Sequence, residues 1–539
     1  MESFSSNIFA LLQKKIASQG QDNLSILCLT IVVIAGTAVP YFVYKSVSLY
    51  INGCNARKDR PWKLIPGWLP LLGHFYQVGS LDSLDHATSS WNDEYGQEHG
   101  CYDVDLAGQR YTVICRQDRA LEILKNRPAI VERSTVIREV VDAVGARGVF
   151  SAEGQQWRNE HKLVAAALSR SNVQDYLEVF RDMAERVVEK WSACGQQETL
   201  IVDNDLAHFS ADTIAKVTMN RDFNFLNQPD SQMFKDVQNT VSGSFRRALS
   251  PIWYWRIPVI GQHLDGIGTS ALRVQKLLTE IVTGFGNDTS QTTGELLFIK
   301  KLYDAMRSEK FHISRERVIG NAMTLFLAGS DTTSKMTTTA LYVLAKNHAL
   351  QKELQQQVDG FDLATASLSD LYEKLPRLKS FLHEMHQYYG SGIMFLKVNQ
   401  DIDFCSGKLR KNEDVLFCTR YLATSDKSQV TGIPAGPNGE PPSAFCPTRY
   451  LVKDSNGNLT TVTPKPGSLA LATFGAGVRS CPGRTYTEAS SYCLLIRTLQ
   501  TFNLELAPGF PKNPGLLNQT VTVLNCPVEL KLTKRKQER

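Results

Sequence analysis

Cys481 closes the run Phe474-Gly475-Ala476-Gly477-Val478-Arg479-Ser480-Cys481-Pro482-Gly483-Arg484, just ahead of a helical pattern. A thiolate needs its negative charge stabilised, and the unpaired N–H groups that open a helix supply donors and a favourable dipole. Gly475, Gly477 and Gly483 permit the tight backbone of such a hairpin. A lone cysteine beside a Gly/Pro turn can be an ordinary buried thiol. Presented in this way it is suited to ligate iron, and thiolate ligation of a haem iron favours O–O cleavage.

A second stretch able to do chemistry runs from Ser314 to Asn347. There Val318, Ile319, Ala322, Leu325, Phe326 and Gly329 share one apolar helix face, which Asp331, Thr332 and Thr333 interrupt. Thr332 stands four residues after Ala328, so its hydroxyl can bond that carbonyl, bend the helix and open a small groove. Gly329 is expected to leave the groove unfilled. The plainer alternative is a Ser/Thr-rich exposed helical turn.

The first run resembles the haem-ligand signature of the cytochrome P450 family, the haem-thiolate monooxygenases, written Phe-x-x-Gly-x-Arg-x-Cys-x-Gly, with every specified position filled. The segment Ala328-Gly329-Ser330-Asp331-Thr332-Thr333 resembles the family's oxygen-binding motif. The resemblance covers roughly residues 60 to 530. It implies a mainly α fold with small β-sheets, heme b as cofactor, Cys481 as axial ligand to the metal, and Phe474, Gly475, Gly477, Arg479 and Gly483 around that ligand. It further implies Ala328 and Gly329 on the opposite face of the cofactor, with Thr332 and Asp331 as the alcohol and acid that steer protons to the oxygen.

Three positions depart from the family pattern. Trp157 and His161 match Trp-x-x-x-Arg, whose members meet a haem propionate, with histidine for arginine. A histidine bonds a propionate well when protonated, or as a neutral single donor. Glu384 and Gln387 match Glu-x-x-Arg with glutamine for arginine, while Arg449, in Phe445-Cys446-Pro447-Thr448-Arg449-Tyr450, keeps the arginine that completes the same buried network. At i,i+3 spacing Gln387 can still offer Glu384 one hydrogen bond, and an arginine restored at 387 is expected to slow haem loss. Lys397 occupies a further propionate-arginine position, keeping the charge without the fork. Two outcomes compete: an enzyme with a softer haem clamp, or a haem-poor non-catalytic chain. A haem-thiolate isomerase or dehydratase is a third reading, and it would tolerate loss of the acid–alcohol pair, which is retained here.

The elements that must position these groups are also legible. Tyr102 to Leu106 and Tyr111 to Cys115 read as a hairpin about Gly108-Gln109-Arg110. Helical periodicity marks Asn172 to Ser192 and Ala271 to Phe285. The 539 residues, 42% hydrophobic and 21% charged, show no repeat or linker after the N-terminal region, so residues 71–539 read as one catalytic domain. A net charge of +5 with no basic stripe argues against nucleic acid. The eleven cysteines contain no Cys-x-x-Cys pair, which suggests neither a zinc site nor a disulfide framework, and fits a reducing compartment.

Residues 24–44 carry no charge and read as a transmembrane anchor after a short tail, residues 1–23. A cleavable signal peptide is the alternative. Lys45, Arg57, Lys58, Arg60 and Lys63 follow the span, so the catalytic domain is expected on the cytoplasmic side. Residues 45–70 form a basic, proline-rich hinge. The resemblance implies a single-pass protein of the endoplasmic reticulum membrane served by an NADPH-dependent flavoprotein reductase. With no Gly-x-Gly-x-x-Gly between a strand and a helix, that reductase is a separate partner. A lipophilic small molecule is the expected substrate, in a pocket walled by Leu325, Phe326, residues 392–396 and residues 134–150. The aromatic run from Pro251 to Pro258 either dips into the membrane interface or forms a buried turn.

Overall fold

The computed structural model describes residues 43–536, except 49, 56, 79–83, 107, 196–197, 251–253, 258–260, 262, 288–297, 308–312, 391–392, 429–431, 463 and 465–471. The anchor expected at 24–44 lies outside the described residues save for its last two positions. Among the described residues no helix is long and apolar enough to cross a membrane.

The expected hairpin forms: β1 (Cys101–Leu106) pairs antiparallel with β2 (Gln109–Ile114), in the register Tyr102 to Val113, and Gly108 takes the left-handed conformation (φ 88°) that the turn requires. Three further strands, β3 (Val131–Arg133), β4 (Ile393–Val398) and β5 (Asp414–Cys418), complete a sheet of order β1-β2-β5-β4-β3. Only β2 and β5 run parallel within it. Where described, residues 45–55 of the hinge region are helical, and the stretch that follows is docked rather than free. Arg57 Nε bonds Glu413 at 2.9 Å, Trp62 Nε1 bonds Asp103 at 3.1 Å, and the Ile65 amide bonds the Asp103 carbonyl at 3.0 Å.

The rest is mainly helical. Six helices carry the core around the site: α1 (Gly154–Ala167), α2 (Leu177–Ala193), α3 (Val202–Met219), α4 (Arg315–Lys346), α5 (Pro376–Tyr388) and α6 (Arg484–Thr501). The pattern expected over Asn172 to Ser192 is broken at Tyr176, giving Arg170–Asp175 and then α2. Helix α2 buries Phe180, Met183, Val187 and Trp191 on one face, at the three-to-four-residue spacing of an amphipathic helix. Helix α4 is buried on nearly every side and starts where Ser314 accepts the Arg317 amide, a cap for one of the unpaired N–H groups of its first turn. Its buried hydroxyls are satisfied within the helix, since Thr324, Ser334, Thr337 and Thr339 each bond the carbonyl four residues back.

Of the aromatic run, residues 254–257 are described, and Arg256 and Ile257 are exposed. Trp255 is buried and Tyr254 Oη donates to Asp265 at 2.7 Å.

Candidate active site

The cysteine hairpin is built from local backbone chemistry. Gly475 and Gly477 adopt φ of 70° and 69°, and the Cys481 amide donates to the Phe474 carbonyl at 2.7 Å. Helix α6 begins three residues later, and the Gly483 N–H bonds the sulfur, lowering the thiol pKa, while burial raises it by more. Cys481 is nevertheless solvent-accessible. A group that is accessible and yet desolvated by surrounding protein faces an enclosed space, which is where a thiolate ligand must point.

The opposite wall comes from α4. Thr332 Oγ1 donates to the Ala328 carbonyl at 3.0 Å, as its spacing predicted, and Ala328 is exposed amid buried neighbours. Gly329 serves another purpose than the one expected of it. A Cβ there would lie 2.7 Å from Ile214, so the glycine permits α3 to approach α4, and Ser210 Oγ bonds its carbonyl at 3.2 Å. Asp331 is buried, and its carboxylate takes Lys335 Nζ at 2.7 Å and the Thr520 hydroxyl.

Two hydroxyl pairs lock the walls together: Thr333 with Thr487 and Thr337 with Ser491, both at 3.2 Å. These are i,i+4 pairs on α4 and α6, so they zip one helix face to the other. Thr487 lies in the first turn of α6, six residues after Cys481, while Thr332 adjoins Thr333. The two helices that carry Thr332 and follow Cys481 are therefore tied directly to each other.

A third wall is cationic. Arg479 stacks over the Trp157 ring at 4.2 Å, donates to the Ala152 carbonyl at 2.9 Å and pairs with Glu153. Trp157 and His161 lie in contact, with ring centroids 4.8 Å apart. Burial, and then Arg479, hold the His161 pKa below its ordinary value, so at neutral pH it is a neutral single donor. Two arginines that no sequence pattern singled out complete the cluster. Arg127 is buried with Nε and Nη2 lacking a partner among the described residues, and its pKa is pushed down to about 10 by burial and by Arg479. Arg133 is pushed down to about 9 by burial, then by Arg127 and Arg479. Glu132, the next acid, is engaged by Arg138 at 3.4 Å. Three guanidiniums thus share one carboxylate, Glu153, and two positive charges stay uncompensated. The two propionates of a haem carry that charge with opposite sign. The orphaned Arg127 nitrogens, the orphaned Arg479 Nε and the inward-facing thiol fit such a group. Lys397 stands apart from this cluster, its Nζ bonded to Thr135 Oγ1 at 3.1 Å and close to Asp414.

The Glu-x-x-Arg position is rewired rather than weakened. Glu384 takes Arg449 Nε at 3.0 Å and the Cys446 amide at 2.7 Å. Gln387 does not bond Glu384; its Oε1 accepts the Tyr450 hydroxyl at 2.6 Å and its Nε2 donates to the Ala423 carbonyl at 3.2 Å. This reverses the expectation for an arginine at 387. Arginine cannot accept a hydrogen bond, and the buried Tyr450 hydroxyl would lose its acceptor. Gln387→Arg is expected to destabilise the fold by about 1–3 kcal/mol, and adding Tyr450→Phe should recover most of that loss in urea unfolding.

Behind the hairpin, His386 packs on Phe474 with centroids 4.7 Å apart, and neither of its ring nitrogens has a partner. Burial, followed by Arg484, pushes its pKa down to about 3, and His383 is pushed down to about 3 in the same way. The unfolded chain protonates both near pH 6.5, so between pH 6.5 and 3 it binds more protons than the native state and stability is lost as pH falls. Two such sites give a slope of about 2.7 kcal/mol per pH unit. His386→Phe should roughly halve the slope in urea melts at pH 6 and 5.

A family model described as Cytochrome P450 matches residues 64–532. The chain belongs to the cytochrome P450 family. Membership supplies a haem iron with a cysteine thiolate ligand, and a class of oxidoreductases that work with redox partners. The chain is 20% identical to the LUTEIN DEFICIENT 5 protein, chloroplastic, of Arabidopsis thaliana, over 81% of this chain and 72% of that protein. It is 27% identical to the mitochondrial sterol 26-hydroxylase of Oryctolagus cuniculus, over 67% of this chain and 68% of that protein. A bifunctional cytochrome P450/NADPH–P450 reductase of Gibberella moniliformis is 24% identical over 81% of this chain, which spans only 38% of that protein.

Proposed function

We propose that this protein is a haem-thiolate monooxygenase that inserts one oxygen atom of dioxygen into a lipophilic small molecule and reduces the other to water. Electrons come from a separate NADPH-dependent flavoprotein reductase. The observation that supports the reading is the pair of hydroxyl contacts that ties α4, where Thr332 bonds the Ala328 carbonyl, to α6, which follows Cys481. Heme b, when bound, supplies the iron centre at which dioxygen is reduced. Cys481 would hold the iron through its sulfur, its charge eased by the Gly483 N–H and the α6 dipole. Arg127, Arg133 and Arg479 neutralise the propionates, and His161 adds a neutral donor beside Trp157. Thr332 holds a proton at its hydroxyl on the groove, and Asp331, steadied by Lys335 and Thr520, supplies the adjoining carboxylate for its replacement.

Retention of Thr332 and Asp331 favours monooxygenation over peroxide isomerisation. In the same reading residues 24–44 anchor the chain in the endoplasmic reticulum membrane with residues 71–539 in the cytoplasm. The uncharged run supports this, as do the exposed Leu69, Leu71, Leu72 and Tyr76 beside the hinge. The test is NADPH consumption by the purified chain with reductase and candidate lipids. Substrate-dependent consumption with oxygenated product is expected; hydroperoxide turnover without NADPH use would replace the reading with the isomerase.

A further inference from the structure

The chain from Ala146 to Glu153, which includes part of the expected pocket wall, is stitched down at both ends. Along its first half the partner is α4. Thr324 shares its hydroxyl proton with the Ala146 carbonyl at 3.1 Å, Arg317 Nη2 donates to the Gly148 carbonyl at 3.1 Å, and the Val149 amide donates to Asn321 Oδ1 at 2.8 Å. Two glycines let the backbones come this close. A Cβ at Gly148 would stand 2.5 Å from Thr324 Oγ1 and 2.9 Å from Asn321 Cα, and one at Gly320 would run into the Arg147 carbonyl. Along its second half the partners belong to the cationic wall. Arg133 Nε donates to the Phe150 carbonyl and Arg479 Nη2 to the Ala152 carbonyl, both at 2.9 Å, and the Glu153 carboxylate accepts the Arg133 amide at 2.9 Å.

The groups that hold the first half are themselves fixed from below. Glu160, fully buried on α1 between Trp157 and His161 in the sequence, takes Arg317 Nε and Nη2 at 2.6 and 2.8 Å and Asn321 Nδ2 at 3.0 Å. With its nitrogen bound to that carboxylate, the fully buried Asn321 amide can only present its oxygen to Val149. One buried carboxylate thus ties together α1, α4 and the segment 146–153. Ala328, the exposed residue at the groove, follows Thr324 by about one turn of α4. The segment therefore runs from the turn before the groove to the arginines on the propionate side.

We propose that residues 146–153 are a fixed strap that limits the size of the molecule the site admits, with Asn321 as its positioning residue. This rests on the haem-thiolate reading of the site. The substrate class it selects is a slender lipophile, because a bulky one has to lift the strap. A ligand that binds only when the strap is lifted loses affinity in proportion to how rarely that state is populated. Asn321→Ala removes the acceptor of the Val149 amide and leaves Glu160 its two bonds from Arg317. It should raise the lifted fraction about tenfold, the weight of one buried hydrogen bond.

The test is a spectral titration of the full haem-loaded chain with two probes, imidazole and clotrimazole, an imidazole that carries three aryl rings. Asn321→Ala is expected to tighten clotrimazole binding about tenfold and to leave imidazole within about twofold. A residue that only supports the fold would move both probes alike. Gly148→Ala removes no polar group and pushes the strap off Thr324 and Asn321, so it should give the same selectivity. In both variants, peptides covering residues 146–153 should exchange their amide hydrogens about tenfold faster. Equal shifts for the two probes, no shift for either, or unchanged exchange over these residues overturns the strap and leaves the monooxygenase reading standing. A chain with no haem band overturns both.

Discussion

Arg449→Met is expected to lower the unfolding free energy by about 3–5 kcal/mol at neutral pH, the cost of leaving a buried charge unpaired. Both side chains of the Glu384–Arg449 pair are fully buried. All of the arginine's donor directions are used, with bonds to Glu384 and to the carbonyls of Pro434, Glu440, Pro441 and Ala444 at 3.2, 2.9, 2.9 and 2.5 Å. Methionine keeps the volume and abandons one carboxylate and four carbonyls. Burial already raises the Glu384 pKa, opposed by the Cys446 amide and by Arg449. Without the arginine it rises further above its unfolded value, so the native carboxyl takes up a proton more readily than the unfolded one. The penalty is then fully present at high pH and is relieved as pH falls toward the unfolded value of about 4.3. Urea unfolding at pH 8 and pH 5 should show the larger deficit at pH 8. An equal deficit at both would mean that Glu384 stays ionised without its partner.

The second large effect falls on cofactor retention. Arg127→Met should speed haem transfer to an apo-globin acceptor by about 10- to 100-fold, since a charge-assisted hydrogen bond is worth about 1.5–3 kcal/mol. It should also raise the melting temperature of the haem-free chain, because it removes a desolvated cation that is repelled by Arg479 and has two unpaired nitrogens. Opposite signs in the two measurements separate a group built to meet an anion from one that merely holds the fold. Lys397→Met, by contrast, should leave the transfer rate within about twofold, because its ammonium is spent on Thr135 and Asp414.

The parts of this site that were legible in the sequence are those in which chemistry rests on neighbours along the chain. The glycine hairpin, the helix that follows Cys481 and the bond from Thr332 to Ala328 each follow from spacings of a few residues, and each is found as expected. The parts that were not legible depend on distant segments. Arg127 stands before a proline in a loop and Arg133 ends a three-residue strand, and only the fold brings them to Arg479. Tyr450 follows Arg449 directly, but no local pattern tells that its hydroxyl reaches Gln387. The reading of Gly329 missed for the same reason: the reason for the glycine is Ile214, on another helix. Lys397 shows the reverse error, a matching position whose side chain is claimed by a neighbouring strand.

The Glu384 network is satisfied without an arginine at 387. The chain keeps its buried ion pair and gives the glutamine its own partner, and in the proposed reading Arg127, Arg133 and Arg479 would meet the propionates.

The central claim is that Cys481 ligates haem iron through its thiolate. The reduced carbon monoxide difference spectrum of the purified chain tests it most directly. A red-shifted Soret band that is lost in Cys481→Ser is predicted, while a spectrum with no haem band, or a band that survives the substitution unchanged, would contradict it.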